Sequence, residues 1–273
     1  MKFAIIGATH GNEPTGIEVI NALHEIALAE LPHEFQTFIG NPKALALQRR
    51  FVDCDLNRCF GEFAKATGYE AERAKQLTEQ IEGQYDFILD IHTTTSNMGL
   101  TLILTKTDQI SRQAAAYLQQ HMPQIILIES TATDEQCCYT NAMAPSGLTI
   151  EVGPVANNVV RADLVFSVYQ MVELLLRWDF AQTLDLKPLV YYKSFQAIYY
   201  PEGDAVFYIH PDIDGQDFKA LPPQSPLFIN MKQQTILYEG DEIVYPLFIN
   251  EAAYQNDRLA MLLSRKKTGF PNS

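Results

Sequence analysis

His10 and Glu13 form a His-x-x-Glu pair, and His92 and Glu151 each fall at the end of an apolar run. An imidazole and a carboxylate this close in the chain can share one ion. His92 would supply a third ligand. Two histidines and one glutamate, with a fourth position left to water, make the ligand set of catalytic zinc in several peptidases. Zinc lowers the pKa of its water and polarises a carbonyl. Glu151 would then be the base that takes the proton of that water. A His-x-x-Glu pair alone is common, and a lone glutamate in a strand can simply meet solvent at a sheet end. His24, His33, His121 and His210 have no comparable setting, and capping, packing or exposure accounts for them.

The elements that must carry these residues set them apart. Lys2–Ala8 reads as a buried strand running into Thr9-His10-Gly11-Asn12-Glu13, and Phe87–Ile91 as a strand running into His92. Leu148–Val152 is a third strand, delivering Glu151 just before Gly153-Pro154. Ligands of open α/β sheets bind beyond the carboxyl ends of strands, so all four residues are expected along one edge. Apolar spacing predicts helices over Glu13–Glu30, Tyr69–Ile81, Gln109–His121 and Arg161–Phe180. Further strands are expected at Phe35–Gly40, Leu100–Thr105 and Gln124–Glu129. Strands alternating with helices predict an α/β fold, a mainly parallel sheet flanked by helices. After about Leu184 the pattern changes to short strand-like runs at Val190–Tyr200, Ala205–Ile209, Leu227–Asn230, Thr235–Tyr238 and Ile243–Ile249, separated by prolines and Asp-Gly or Glu-Gly turns. A catalytic domain over 1–184 and a smaller β-rich C-terminal domain over 185–273 are therefore expected.

The chain has 273 residues, 47% hydrophobic and 19% charged, with a formal net charge of -13. That composition excludes a disordered chain. The acidity argues against nucleic acid and anionic membranes as partners, and no apolar run reaches the roughly 18 residues of a membrane helix. The four cysteines form no C-x-x-C pair, which fits reduced thiols and a cytoplasmic protein. One segment reverses the sign. Lys43, Arg49, Arg50 and Arg58 share Lys43–Arg58 with only Asp53 and Asp55. The planar fork of arginine suits carboxylates, although a solvated loop with internal salt bridges is the usual fate of such a run.

Six stretches, in order, resemble one family: G-A-T-H-G-N-E-P-T-G (7–16), N-P-K-A (41–44), R-F-V-D-C-D-L-N-R (50–58), D-I-H-T-T-T-S-N-M-G (90–99), I-E-V-G-P (150–154) and F-I-N-E-A-A-Y (248–254). Together they resemble the aspartoacylase/succinylglutamate desuccinylase family of zinc hydrolases, related in fold to zinc carboxypeptidases. The resemblance implies one Zn²⁺ per chain on His10, Glu13 and His92, with Glu151 as the general base that later protonates the leaving amine. Arg50 would polarise the scissile carbonyl and stabilise the oxyanion. Asn57 and Arg58 match residues that hold a substrate carboxylate. Tyr254 matches a substrate-binding tyrosine, placing the C-terminal domain as a cover over the cleft; packing across the domain boundary is the other reading of that residue.

The implied reaction is hydrolysis of N-acetyl-L-aspartate to L-aspartate and acetate, or of another N-acyl amino acid of the aromatic or N-succinyl-glutamate type. A non-catalytic binding module for acidic metabolites is the alternative from a different class. One position departs from the pattern. An ungapped count back from Glu151 places uncharged Asn141 where the N-acetylaspartate enzymes carry a carboxylate-binding arginine. The expected partner is thus a small N-acyl amino acid, and a homodimer is the assembly the resemblance suggests.

Overall fold

The run Phe3–Ile6 is completely buried and forms the heart of strand β1 (Lys2–Gly7). A strand covered on both faces needs such an unbroken apolar run. The computed structural model of the chain describes residues 1–25, 31–61, 66–106, 108–130, 138–180 and 188–269. β1 pairs in parallel with β2 (Glu34–Ile39) on one side and β3 (Phe87–Thr93) on the other. β6 (Ser146–Gly153) lies parallel to β3, with His92 opposite Glu151. β4 (Gly99–Leu104) runs antiparallel to β6 and parallel to β5 (Ile126–Glu129). The carboxyl ends of β1, β3 and β6 therefore share one edge, as the sequence pattern requires.

Helices cover both faces. On one face α1 (Thr15–Glu25), α4 (Gln109–His121) and α5 (Ala162–Arg177) bury Val19, Leu23, Leu118, Val168, Met171 and Leu175 against the sheet. On the other, α3 (Tyr69–Ile81) packs Ala74, Leu77 and Ile81 against Ala4, Ile6 and Ile88. The observed limits of α3 and α4 are those their periodicity predicts. The predicted helix over 13–30 begins later, at Thr15, after Pro14, and its stretch 26–30 lies outside the described residues.

The later strands hold a difference from the sequence reading. β7 (Leu189–Tyr199) pairs in parallel with β5, and it pairs antiparallel with β12 (Leu259–Gly269), an 11-residue strand absent from the sequence reading. β11 (Tyr245–Leu247) adds to β12. Among the described residues, these three extend the main sheet to nine strands. Only β8 (Phe207–Ile209), β9 (Pro226–Asn230) and β10 (Thr235–Leu237) form a separate antiparallel sheet. β12 carries Arg265-Lys266-Lys267 in its exposed half, which hides a strand from an apolar-run criterion. The expected boundary near residue 184 lies outside the described residues. No described helix is long and apolar enough to cross a membrane.

A short helix, α2 (Pro42–Ala46), begins on Asn41, whose side chain accepts the Ala44 N–H at 3.0 Å. It seats the loop after β1. A Cβ on Gly11 would meet the Ala44 carbonyl carbon at 2.1 Å and the Leu45 nitrogen at 2.2 Å, and Gly11 N–H donates to the Arg50 carbonyl at 3.2 Å. Gly11→Ala is therefore expected to displace the His10–Glu13 loop, costing about 1–3 kcal/mol of stability. Calorimetric unfolding should show a fall in Tm of roughly 5 °C, and an unchanged Tm would contradict this seating.

Candidate metal centre and active site

His10, Glu13 and His92 converge on one point. His10 Nδ1 lies 2.7 Å from Glu13 Oε1, His92 Nδ1 lies 2.9 Å from Glu13 Oε2, and the two Nδ1 atoms are 3.1 Å apart. All three residues are at most 4% exposed. The opposite ring nitrogens are engaged by carboxylates: His92 Nε2 with Asp90 at 2.7 Å and His10 Nε2 with Asp55 at 3.0 Å. If each Nε2–H donates to its carboxylate, each Nδ1 is a bare lone pair. Two lone pairs and a carboxylate then face one another in a buried site, which repels unless a cation lies between them. Ligands about 2.0–2.1 Å from tetrahedral zinc sit roughly 3.3 Å apart, close to the 3.1 Å between the nitrogens. This donor set, with carboxylates behind both imidazoles, fits zinc.

The electrostatics also favour positive charge at this point. Burial pulls the His92 pKa down, but Asp90 and Glu13 overcome it and hold the ring well above the usual histidine range. Burial raises the Glu13 carboxyl, while the two histidines more than reverse that and leave it well below the carboxylate range. Without a metal, a proton occupies the centre of positive charge. Burial pushes Glu151 up to about 8, with Glu13 and Glu251 adding to the rise while His92 and Arg50 oppose it. Glu151 therefore holds a proton far more tightly than an ordinary glutamate.

The residues given a metal, catalytic or substrate-binding role in the sequence reach this region, whereas Lys43 and Arg49 do not line it. His10, Arg50, Asn57, Arg58, His92, Glu151 and Tyr254 line a cavity of about 180 Å³. Glu13 lines an adjoining space of about 30 Å³ that also touches His10, Arg50, Glu151 and Tyr254. Arg50 bridges Glu13 at 3.2 Å and Asp55 at 3.0 Å. Arg58 donates to the Asn57 carbonyl at 2.8 Å and lies 5.1 Å from the centre of the Tyr139 ring. Asn141 is buried, accepts the Thr149 hydroxyl at 2.9 Å and stays out of the cavity lining.

Four acidic residues with no assigned role in the sequence reading organise the site. Asp90 accepts from Thr9 at 2.7 Å and Thr140 at 2.6 Å besides meeting His92. Its place two residues before His92, on the same strand face, was a legible signal. Asp55 joins His10 to Arg50. Buried Glu70 on α3 accepts the N–H groups of Val52, Asp53 and Cys54 at 2.6, 2.9 and 3.2 Å, fixing the loop that leads to Asn57 and Arg58. Glu251 takes the hydroxyl of Thr94, and the N–H groups of Thr95 and Ser96 at 2.9 and 3.1 Å. Its other oxygen accepts Ala253 N–H at 3.0 Å, which ties the turn carrying Tyr254 to the loop after His92.

Removing the charge behind His92 should weaken the metal. Asp90→Asn is expected to lower zinc affinity by about 10–100-fold, measured by competition with a chelator. The proton on His92 must also leave before Nδ1 can bind a metal. Zinc binding should therefore release protons and weaken as pH falls; an affinity flat from about pH 8 to pH 5.5 would refute this site.

Residues 1–178 match the model of the succinylglutamate desuccinylase/aspartoacylase catalytic domain, and residues 187–266 that of the AstE/AspA barrel-sandwich hybrid domain. The chain is 35% identical to a probable aspartoacylase of Trichodesmium erythraeum, over 98% of this chain and 97% of that protein. It is 32% identical to a mouse (Mus musculus) N-acyl-aromatic-L-amino acid amidohydrolase (carboxylate-forming), over 97% of this chain and 91% of that one. The crystal structure of murine aminoacylase 3 superposes with a TM-score of 0.86 at 32% identity, covering 98% of this chain and 96% of the other. With both halves matched in order and relatives of this similarity along nearly the whole length, the chain belongs to the succinylglutamate desuccinylase/aspartoacylase family.

Proposed function

We propose that this protein is a cytoplasmic, zinc-dependent amidohydrolase that cleaves N-acyl-L-amino acids to a carboxylate and a free amino acid. N-acetyl-L-aspartate is the first substrate to test, followed by N-acyl aromatic amino acids and N-succinyl-glutamate. The observation that carries the reading is the convergence of His10, Glu13 and His92 next to Glu151 in a cavity that also holds two arginines. The names of the relatives add to it, because one is described as a probable aspartoacylase and another as an N-acyl-aromatic-L-amino acid amidohydrolase. Bound zinc would supply a Lewis acid and a water of lowered pKa.

The roles of the side chains follow from their chemistry. Glu151 accepts the proton of the attacking water on its carboxylate and passes it to the leaving amine nitrogen as the C–N bond breaks. Arg50 faces the carbonyl and stabilises the oxyanion, oriented by Glu13 and Asp55. Arg58, beside Asn57, takes the carboxylate of the amino acid. Tyr254 arrives from the C-terminal region with Phe248 and Leu262, all three lining the cavity, in keeping with residues 185–273 acting as a cover on a catalytic domain of residues 1–184.

Glu151→Gln should keep its zinc and lose turnover by roughly 10²–10⁴-fold. Acetate release is the assay, with zinc content measured on the same sample. Near-normal kcat in that variant would remove Glu151 from the role of base. Arg50→Ala is expected to lower kcat by about 10²–10³, and a change confined to KM would place Arg50 in ground-state binding instead.

A further inference from the structure

The larger cavity has two unlike ends. At one end stand the metal centre, Arg50, Arg58 and Tyr139. Farther along the sheet from β3, the lining on β4, β5 and β12 includes Ile103, Ile128 and Leu262, with the hydroxyl side chains of Thr105, Ser130, Thr149 and Ser194 among them. Ile103 and Ile128 are paired residues on β4 and β5. Behind them lies an apolar cluster that includes Met98, Leu247 and Phe248, with Ile103 and Leu262 packed onto it. Among the described residues lining this end there is no lysine, arginine or histidine.

The cations of the cavity are already allotted. Arg50 has one terminal nitrogen on Glu13 and the other on Asp55. Arg58 meets a backbone carbonyl and an aromatic ring, which leaves it able to take one carboxylate. The α-carboxylate and the side chain of an amino acid hang from the same carbon. A substrate anchored on Arg58 must therefore place its side chain in the same cavity, because the adjoining space of about 30 Å³ has room for little more than one or two waters. The apolar surface offered to that side chain includes Ile103, Ile128 and Leu262. A second carboxylate there would lie against apolar side chains with no cation among the described lining residues to receive it, which is unfavourable.

Resting on the deacylase reading above, we infer that the physiological substrates are N-acyl amino acids with uncharged side chains, selected by Ile103, Ile128 and Leu262. Asn141 is consistent with this, since it adds no charge and does not reach the cavity.

The test is kcat/KM of the zinc-loaded protein on N-acetyl-L-leucine, N-acetyl-L-phenylalanine and N-acetyl-L-aspartate. The expected result is a preference of about 100-fold or more for the uncharged substrates. A binding arm uses Glu151→Gln, where the calorimetric Kd for N-acetyl-L-leucine should be lower than that for N-acetyl-L-aspartate. Ile103→Lys, at a half-buried position on the wall, should narrow or invert the ratio by favouring the aspartate derivative. Hydrolysis of several substrates with N-acetyl-L-aspartate the fastest would overturn this inference and leave the deacylase reading intact. Hydrolysis of none would overturn the deacylase reading itself. The wild-type ratio decides the matter even if Ile103→Lys fails to fold.

Discussion

Two imidazoles and a carboxylate brought together in a buried pocket are the constraint on which this site depends. His10 Nδ1, His92 Nδ1 and the Glu13 carboxylate cannot stay within about 3 Å of one another out of water unless positive charge sits among them. The surrounding contacts hold them there. Asp90 and Asp55 fix the rings from behind, Arg50 braces Glu13, and Gly11 lets the first ligand loop lie against α2. Loss of one support leaves a buried group unpaired, so the arrangement is cooperative in the sense of a hydrogen-bond network.

Charge is distributed on two scales. The whole chain carries -13, which repels polyanions from its surface. Inside the cavity, Arg50 and Arg58 lie beside the ligand cluster, where a nearby pair outweighs screened surface charge. The C-terminal region contributes to this cavity. Glu251 ties the Tyr254 turn to Thr94–Ser96, and Asp217 accepts the N–H groups of Asn97 at 3.2 Å and Ile249 at 2.9 Å. Both tethers link the loop after His92 to the segment that brings Phe248 and Tyr254 to the cavity lining.

The sequence made the carriers of chemistry visible because each follows an apolar strand. Phe3–Ile6, Phe87–Ile91 and Leu148–Val152 are long enough and apolar enough to be read as buried strands, and their ends hold His10, His92 and Glu151. Helices α3 and α4 were legible for a similar reason, since their apolar spacing is regular. What was hidden depends on tertiary approach. Asp55 looks like one charge in a mixed run until His10 comes within 3.0 Å. Glu70 reads as one more acid on a charged helix, yet it is buried and holds three backbone N–H groups. Glu251 acts on residues some 155 positions earlier. β12 escaped notice because its pairing with β7 sustains a strand whose cationic half has no apolar pattern.

The central claim is a zinc ion held by His10, Glu13 and His92, and zinc K-edge X-ray absorption of the purified protein tests it most directly. The account predicts one zinc per chain with a nitrogen and oxygen shell at about 2.0–2.1 Å, lost when His92 is replaced by alanine. A shell containing sulfur at about 2.3 Å, which would bring in Cys54, Cys59 or Cys138, or zinc retained in full by His92→Ala, would contradict it.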